Sequence, residues 1–261
     1  SAETFDSSRY LIMDFEIGSS LDIVSGNNGR LSSLQVNLKL VPVESQRQEI
    51  VSLNINSAPE ADTTINKESI QYSWSSLANR YEYSLNSKIK AKNEIIKVKS
   101  KIKFPYNHDE TLNEYLQQTE KIDIDNNIIE LANKIVEGET DYYIAINKIS
   151  FWVQENIEYD LNTITAEAVQ TSSWVLENKQ GVCDELTNLF ISMLRSVGIP
   201  ARFVTGVVYT NIDDEWGNHG WAEVYIPNKG WVPWDVTFGQ FGYIDPSHIA
   251  LGETADSSES S

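Results

Sequence analysis

The hydrophobic period of this chain changes once, near Phe104-Pro105-Tyr106-Asn107. Before that point apolar and polar residues alternate, as in half-buried strands; after it they recur three and four apart, as on a helix face. Tyr10 to Val24, Leu34 to Val43, Glu49 to Asn56, Ile70 to Trp74, Tyr81 to Lys90 and Glu94 to Ile102 read as strands. Turn-rich stretches such as Ser25-Gly26-Asn27-Asn28-Gly29 and Ser57-Ala58-Pro59-Glu60 separate them. Short strands at this spacing predict an antiparallel β-sandwich over residues 1–106, without a candidate catalytic group of its own.

Beyond the boundary, Ile128, Leu131, Ala132, Ile135 and Val136 share one helical face, and Ile144, Ile146, Ile149, Phe151, Trp152 and Ile157 mark a second, longer helix. A short helix is expected over Ala168 to Glu177. Cys183 to Val197 forms another, with Leu186, Leu189, Phe190, Met193 and Leu194 buried; Gly198-Ile199-Pro200 stops it. Ala201 to Tyr209, His219 to Ile226 and Gly230 to Val236 read as strands. The expectation is an α+β domain over 107–253, followed by a disordered Ser- and acid-rich tail over 254–261.

At 261 residues and 41% hydrophobic, the chain can bury a substantial core. Its net charge of −18 argues against nucleic acid, since the basic residues between Lys88 and Lys103 alternate with apolar ones rather than clustering. No apolar run reaches bilayer-spanning length. There is one cysteine, Cys183, so an intramolecular disulfide and a multi-cysteine metal site are both excluded. A buried structural thiol and a nucleophile remain.

Cys183 opens a helix just after Gly181-Val182. A helix N-terminus offers unpaired N–H groups and partial positive charge, both of which favour a thiolate; the glycine would let a substrate backbone approach closely. A thiolate needs a base, and three histidines are available. His108 lies in the polar segment Asn107-His108-Asp109-Glu110 and reads as a solvated loop residue. His219 opens an apolar strand after a loop and suits an active site. His248 is either structural or lines the cleft. Asp235 is the only carboxylate in Gly230-Trp231-Val232-Pro233-Trp234-Asp235-Val236-Thr237-Phe238, and a bond to His219 would compensate its burial.

Gly181-Val182-Cys183-Asp184-Glu185 with Leu194-Arg195-Ser196-Val197-Gly198-Ile199-Pro200-Ala201-Arg202, His219-Gly220-Trp221-Ala222-Glu223-Val224-Tyr225, and Gly230 to Thr237 together resemble the transglutaminase-like superfamily. The resemblance spans about Asp141 to Leu251 and implies a papain-like core with Cys183 as nucleophile, His219 as general base and Asp235 as its orienter. Gly220 stands where Ala is usual and Val236 where Pro is usual; neither change removes a functional group. The Cys183 N–H is a natural oxyanion donor. Tyr159, Trp174 and Gln180 are candidates for the second, Tyr159 first, because Ile157-Glu158-Tyr159 resembles a stretch before the family's cysteine helix. Trp216, Trp221, Trp231 and Trp234 gather around the His and Asp motifs; Trp221, Trp234 and His248 are the candidate cleft-lining residues.

The resemblance implies chemistry at an amide carbonyl through a thioester. Hydrolysis, as by a cysteine peptidase or amidase acting on protein or peptide, is expected ahead of amine transfer, as by a cross-linking transglutaminase. A non-catalytic cell-surface module that keeps the fold is the competing class. No cofactor is expected and no metal ligand set is recognised, although Asp213-Asp214-Glu215 offers oxygens suited to calcium if it is more than a solvated loop. An acidic, Asn- and Ser-rich chain with a β-sandwich suggests an extracytoplasmic or cell-surface setting ahead of a cytoplasmic one, with membrane anchoring through segments outside this sequence; the sequence does not give an oligomeric state.

Overall fold

The computed structural model describes residues 5–24, 26, 29, 31–161, 169–210 and 215–255. Six strands make up the first part: β1 (Tyr10–Asp22), β2 (Leu34–Leu38), β3 (Gln48–Ala58), β4 (Asp62–Ile65), β5 (Ile70–Trp74) and β6 (Arg80–Lys92). They form two antiparallel three-stranded sheets, β1-β6-β3 and β2-β5-β4. Alternation drives their packing: Ile70, Tyr72 and Trp74 of β5 meet Tyr81 and Leu85 of β6 in one core between the sheets. Residues 94–102, expected as a strand, join no ladder; only Lys103 makes a bridge, to Asp141.

Next come a 3-10 helix (Glu110–Leu116) and then α1 (Asn126–Ile135), α2 (Tyr142–Asn156), β7 (Glu158–Tyr159), α3 (Ser172–Asn178), β8 (Gln180–Gly181) and α4 (Cys183–Ser196). The chain ends in β9 (Ala201–Thr210), β10 (Glu215–Ile226), β11 (Gly230–Asp235), β12 (Gln240–Phe241) and β13 (His248–Thr254). These last five form an antiparallel sheet in the order β12-β11-β10-β9-β13. Helix α4 lies at the centre of the domain, buried from Glu185 to Arg195 and packed in one core with α1, α2, α3 and the sheet. The fold is thus α+β, a papain-like core preceded by a β-sandwich. Thr254, expected to begin a disordered tail, instead closes β13, and the Ala255 carbonyl accepts from the Arg195 guanidinium at 2.8 Å. The rest of the expected tail, 256–261, lies outside the described residues.

The two parts share a core. Met13 and Phe15 of β1 and Ile89 and Ala91 of β6 pack against Val207 of β9 and Ile249 and Leu251 of β13. Polar bonds lock the junction: the Gln48 amide donates to Ala250 O at 2.9 Å and accepts from Ala250 N at 2.8 Å. Arg47 donates to the carbonyls of Asp245 at 2.8 Å and His248 at 3.1 Å. Among the described residues no helix is long and apolar enough to cross a membrane.

Candidate active site

Cys183 occupies the first position of α4, and Glu185 fixes that end. Its buried carboxylate accepts from the N–H groups of Val182 and Gln170, each at 3.0 Å, anchoring the helix start to the segment before α3. A Cβ at Gly181 would lie 2.9 Å from the Glu185 Cβ and 3.1 Å from Leu186. The glycine therefore serves helix packing, not substrate approach as the sequence had suggested.

His219 and Asp235 come from neighbouring strands, with Ala222 opposite Trp234 in the register. His219 Nε2 lies 2.6 Å from Asp235 Oδ2, and Cys183 also acts on the ring, raising its proton affinity. His219 is 7% exposed and Asp235 is fully buried. Burial works against charge on both residues, yet each stabilises the other's ion. Asp235 lifts His219 to about 9, and the imidazole groups hold Asp235 well below the usual carboxylate range.

Asp184 is a further group at the thiol. Cys183 Sγ donates to its Oδ1 at 3.5 Å; burial pushes this carboxyl up, against the Cys183 bond and the His219 charge. The same Oδ1 and the Phe203 ring occupy the space that a Cβ at Gly220 would need, each 2.4 Å from it. Phe238, 45% exposed, stacks on His219 at 4.6 Å between ring centroids, and its N–H donates to Asp235 Oδ1 at 2.9 Å.

The expected cleft-lining residues are elsewhere. Trp221 and Trp234 are buried, the latter donating to Ser150 at 2.8 Å. His248 is fully buried behind Asp235, its Nε2 3.0 Å from Oδ2. Large aromatics gain more by filling the core than by standing in an open cleft. Trp216 packs on Phe15 and Tyr209 at the junction, and Trp231 on Tyr115 and Tyr225. His108 is half-buried among Tyr106, Tyr142 and Tyr225 rather than solvated. Phe238 and Asp184, by contrast, carried no sequence signal beyond adjacency to the motifs.

Tyr159 pairs with Gly181 through the parallel β7–β8 contact, and burial together with the charges of Cys183, Asp184 and Asp235 keeps its phenol protonated. Gln180 is half-buried in β8. Trp174 packs from α3 onto the core, in a groove shared with Leu131 of α1. Of the acidic run weighed for calcium, Asp213 and Asp214 lie outside the described residues. His219, Asp235 and His248 each place a ligand-capable atom within 4.8 Å of the others. The 2.6 Å contact between His219 and Asp235 is too short for two ligands of one zinc, which stand about 3.3 Å apart in a tetrahedral site.

A thiol at a helix start, acting on an imidazole that a buried carboxylate orients, is the arrangement of a papain-like thiol site. Residues 129–236 match the sequence model described as the transglutaminase-like superfamily. The uncharacterized protein YebA of Bacillus subtilis is 26% identical over 231 residues, covering 81% of this chain and 30% of YebA. An uncharacterized Haemophilus influenzae protein is 27% identical over 147 residues, covering 47% of this chain and 39% of its own length. The chain thus spans less than half of these curated relatives. A Cytophaga hutchinsonii structure described as a candidate cysteine protease has the same fold, with a TM-score of 0.69 at 16% identity, covering 97% of this chain and 86% of that one.

Proposed function

We propose that the chain is a thiol-dependent acyl-transfer enzyme that hydrolyses amide bonds in proteins or peptides. The observation that carries this reading is the His219 ring, bonded to the buried Asp235 through Nε2 at 2.6 Å and raised in proton affinity by Cys183 at the start of α4. In the proposed reaction the Cys183 thiolate attacks the amide carbonyl, forming a C–S bond. The tetrahedral oxyanion is met by the Cys183 N–H, which a helix start leaves without an internal acceptor, and by the Tyr159 hydroxyl. As the C–N bond breaks, His219 gives its proton to the leaving amine. Water then attacks the thioester with His219 as base, releasing the acid and restoring the thiol. Water is favoured over an amine acceptor because Trp221 and Trp234, which could have walled a dry tunnel, are core residues. The acidic, Asn- and Ser-rich composition supports an extracytoplasmic setting for this reaction.

Iodoacetamide alkylation reports on Cys183 without ambiguity, as it is the sole cysteine. Rapid alkylation at pH 6, where an ordinary thiol of pKa about 8.5 is almost wholly protonated, should be lost in His219→Ala. Peptide hydrolysis should disappear in Cys183→Ala. An ordinary alkylation profile indifferent to His219 would overturn the reading in favour of a non-catalytic module. Incorporation of an added amine outpacing hydrolysis would overturn the hydrolytic part alone.

A further inference from the structure

Hydrogen bonding does not stop at Asp235. Its Oδ2 also faces His248 Nε2 at 3.0 Å, and His248 Nδ1 lies 3.0 Å from the Asp245 carbonyl and 3.3 Å from Asp245 Oδ1. None of these groups has a proton to give. Asp235 accepts His219 on Oδ2 and the Phe238 N–H on Oδ1. Asp245 accepts the Gln240 amide at 2.6 Å, the Ser247 N–H at 2.8 Å and the Ser247 hydroxyl. A neutral imidazole has one N–H, so it would set a bare lone pair against a carbonyl or carboxylate oxygen in a fully buried place. Two donors are needed, which only the imidazolium supplies.

We propose that His248 is a permanently protonated positioning residue, an imidazolium that shares the Asp235 oxygen with His219 and thereby moderates how tightly the candidate base holds its proton. The inference rests on the reading of His219 as base. Asp245 and His248 lie beyond the matched segment 129–236, so the family motifs do not supply them. The sheet explains how they reach the site. His219 of β10 stands opposite Gly206 of β9, while His248 of β13 stands opposite Val208 on the other side of β9. A Cβ at Gly206 would lie 2.4 Å from the Trp221 ring. The bare position lets that ring cross β9 and set itself edge-on to His248, 5.1 Å between centroids.

The charged groups around the pair act in definite directions. Asp235 and Asp245 stabilise the His248 cation; burial opposes it but does not win. His219, 5.6 Å away between ring centroids, is a like charge when protonated, so each imidazolium lowers the other's proton affinity. Asp184 and Cys183 face His219 from α4. Arg47, from the segment leading into β3, holds the backbone carbonyls of Asp245 and His248.

With three histidines in the chain, NMR of the intact protein carrying nitrogen-15 histidine can follow each ring. Both His248 nitrogens should be protonated, without titration, from about pH 5 to 9. In His248→Gln, which can still donate to Asp235 but carries no charge, the His219 titration should move up by about one pH unit, a tenfold gain in proton affinity. One bare His248 nitrogen at pH 7 would overturn the proposal, as would a His219 titration that stays or falls in the variant. If His248→Gln does not fold, the wild-type spectrum still decides the protonation state. Alkylation of Cys183 in the same samples separates the two readings. An ordinary wild-type thiol sinks the cysteine-enzyme reading, whereas an activated thiol beside a neutral His248 sinks this inference only.

Discussion

Asp235 takes three hydrogen bonds on two oxygens, from His219, His248 and the Phe238 N–H. Burial alone would make it neutral and would strip the proton from His219. The pair reverses both tendencies, and the imidazolium persists to about pH 9. Asp235→Asn removes the charge but leaves the burial, so the His219 titration should fall from about 9 to below its ordinary value of about 6.5. The alkaline limb of kcat/KM for an activated ester substrate, which depends on protonated His219 giving its proton to the leaving group, should move down with it. Activity at pH 8 should fall by about 10²–10⁴-fold, since the amide also holds the wrong tautomer. An alkaline limb still near 9 would show that Asp235 is not what raises His219. At the same scale, Gly220 has a local cause: the usual Ala would meet the Asp184 carboxylate and Phe203.

Helix α4 positions the nucleophile, and its start depends on Glu185 more than on the first-turn charge. Asp184 and Glu185 both favour a helix N-terminus, but it is Glu185 whose carboxylate ties the Val182 and Gln170 N–H groups together. Glu185→Ala should cost about 1–3 kcal/mol in urea unfolding, leaving two N–H groups unsatisfied and a void against Gly181. It should also slow Cys183 alkylation by freeing the helix start. A loss below 0.5 kcal/mol, as at an ordinary surface site, would show that α4 holds its start without this carboxylate. Elements of this kind were legible where period and punctuation agree: β5 runs Ile70–Trp74 as read, and α4 begins at Cys183 and stops one residue before the expected Val197. β4, which is wholly exposed, and β13, whose pairing shifts between Ala250 and Gly252, have no clean alternation to read. Residues 94–102 alternate but have no partner strand. The Cys, His and Asp motifs were readable because each pairs a reactive group with a local pattern. His248's role depends on what crosses β9 at Gly206, a tertiary fact that no local pattern encodes.

The sandwich and the papain-like domain are joined by an apolar cluster, by the Gln48 amide on Ala250 and by Arg47 on the carbonyls of Asp245 and His248. Arg47 is half-buried, and desolvation lowers it to about 10 against the charges of Asp245, Glu223 and Glu94, so its charge is kept at a desolvation cost. A junction with this much buried contact should make the two parts unfold together. Six of the seven tryptophans lie after Phe104, so their fluorescence follows the papain-like domain, while amide circular dichroism follows the strands of both. The two melting curves should therefore coincide. Arg47→Met keeps an apolar stem but removes the donors to two carbonyls; the Asp245 carbonyl keeps His248, so the loss is about 1–3 kcal/mol, mostly at the His248 carbonyl. It should lower the shared midpoint and, by loosening the backbone at Asp245 and His248, slow acyl transfer without touching Cys183. Separate midpoints in the wild type would mean that the sandwich is a neighbour of the site; a shared midpoint that falls together with activity in Arg47→Met would make it part of the structure that holds Asp235 in place.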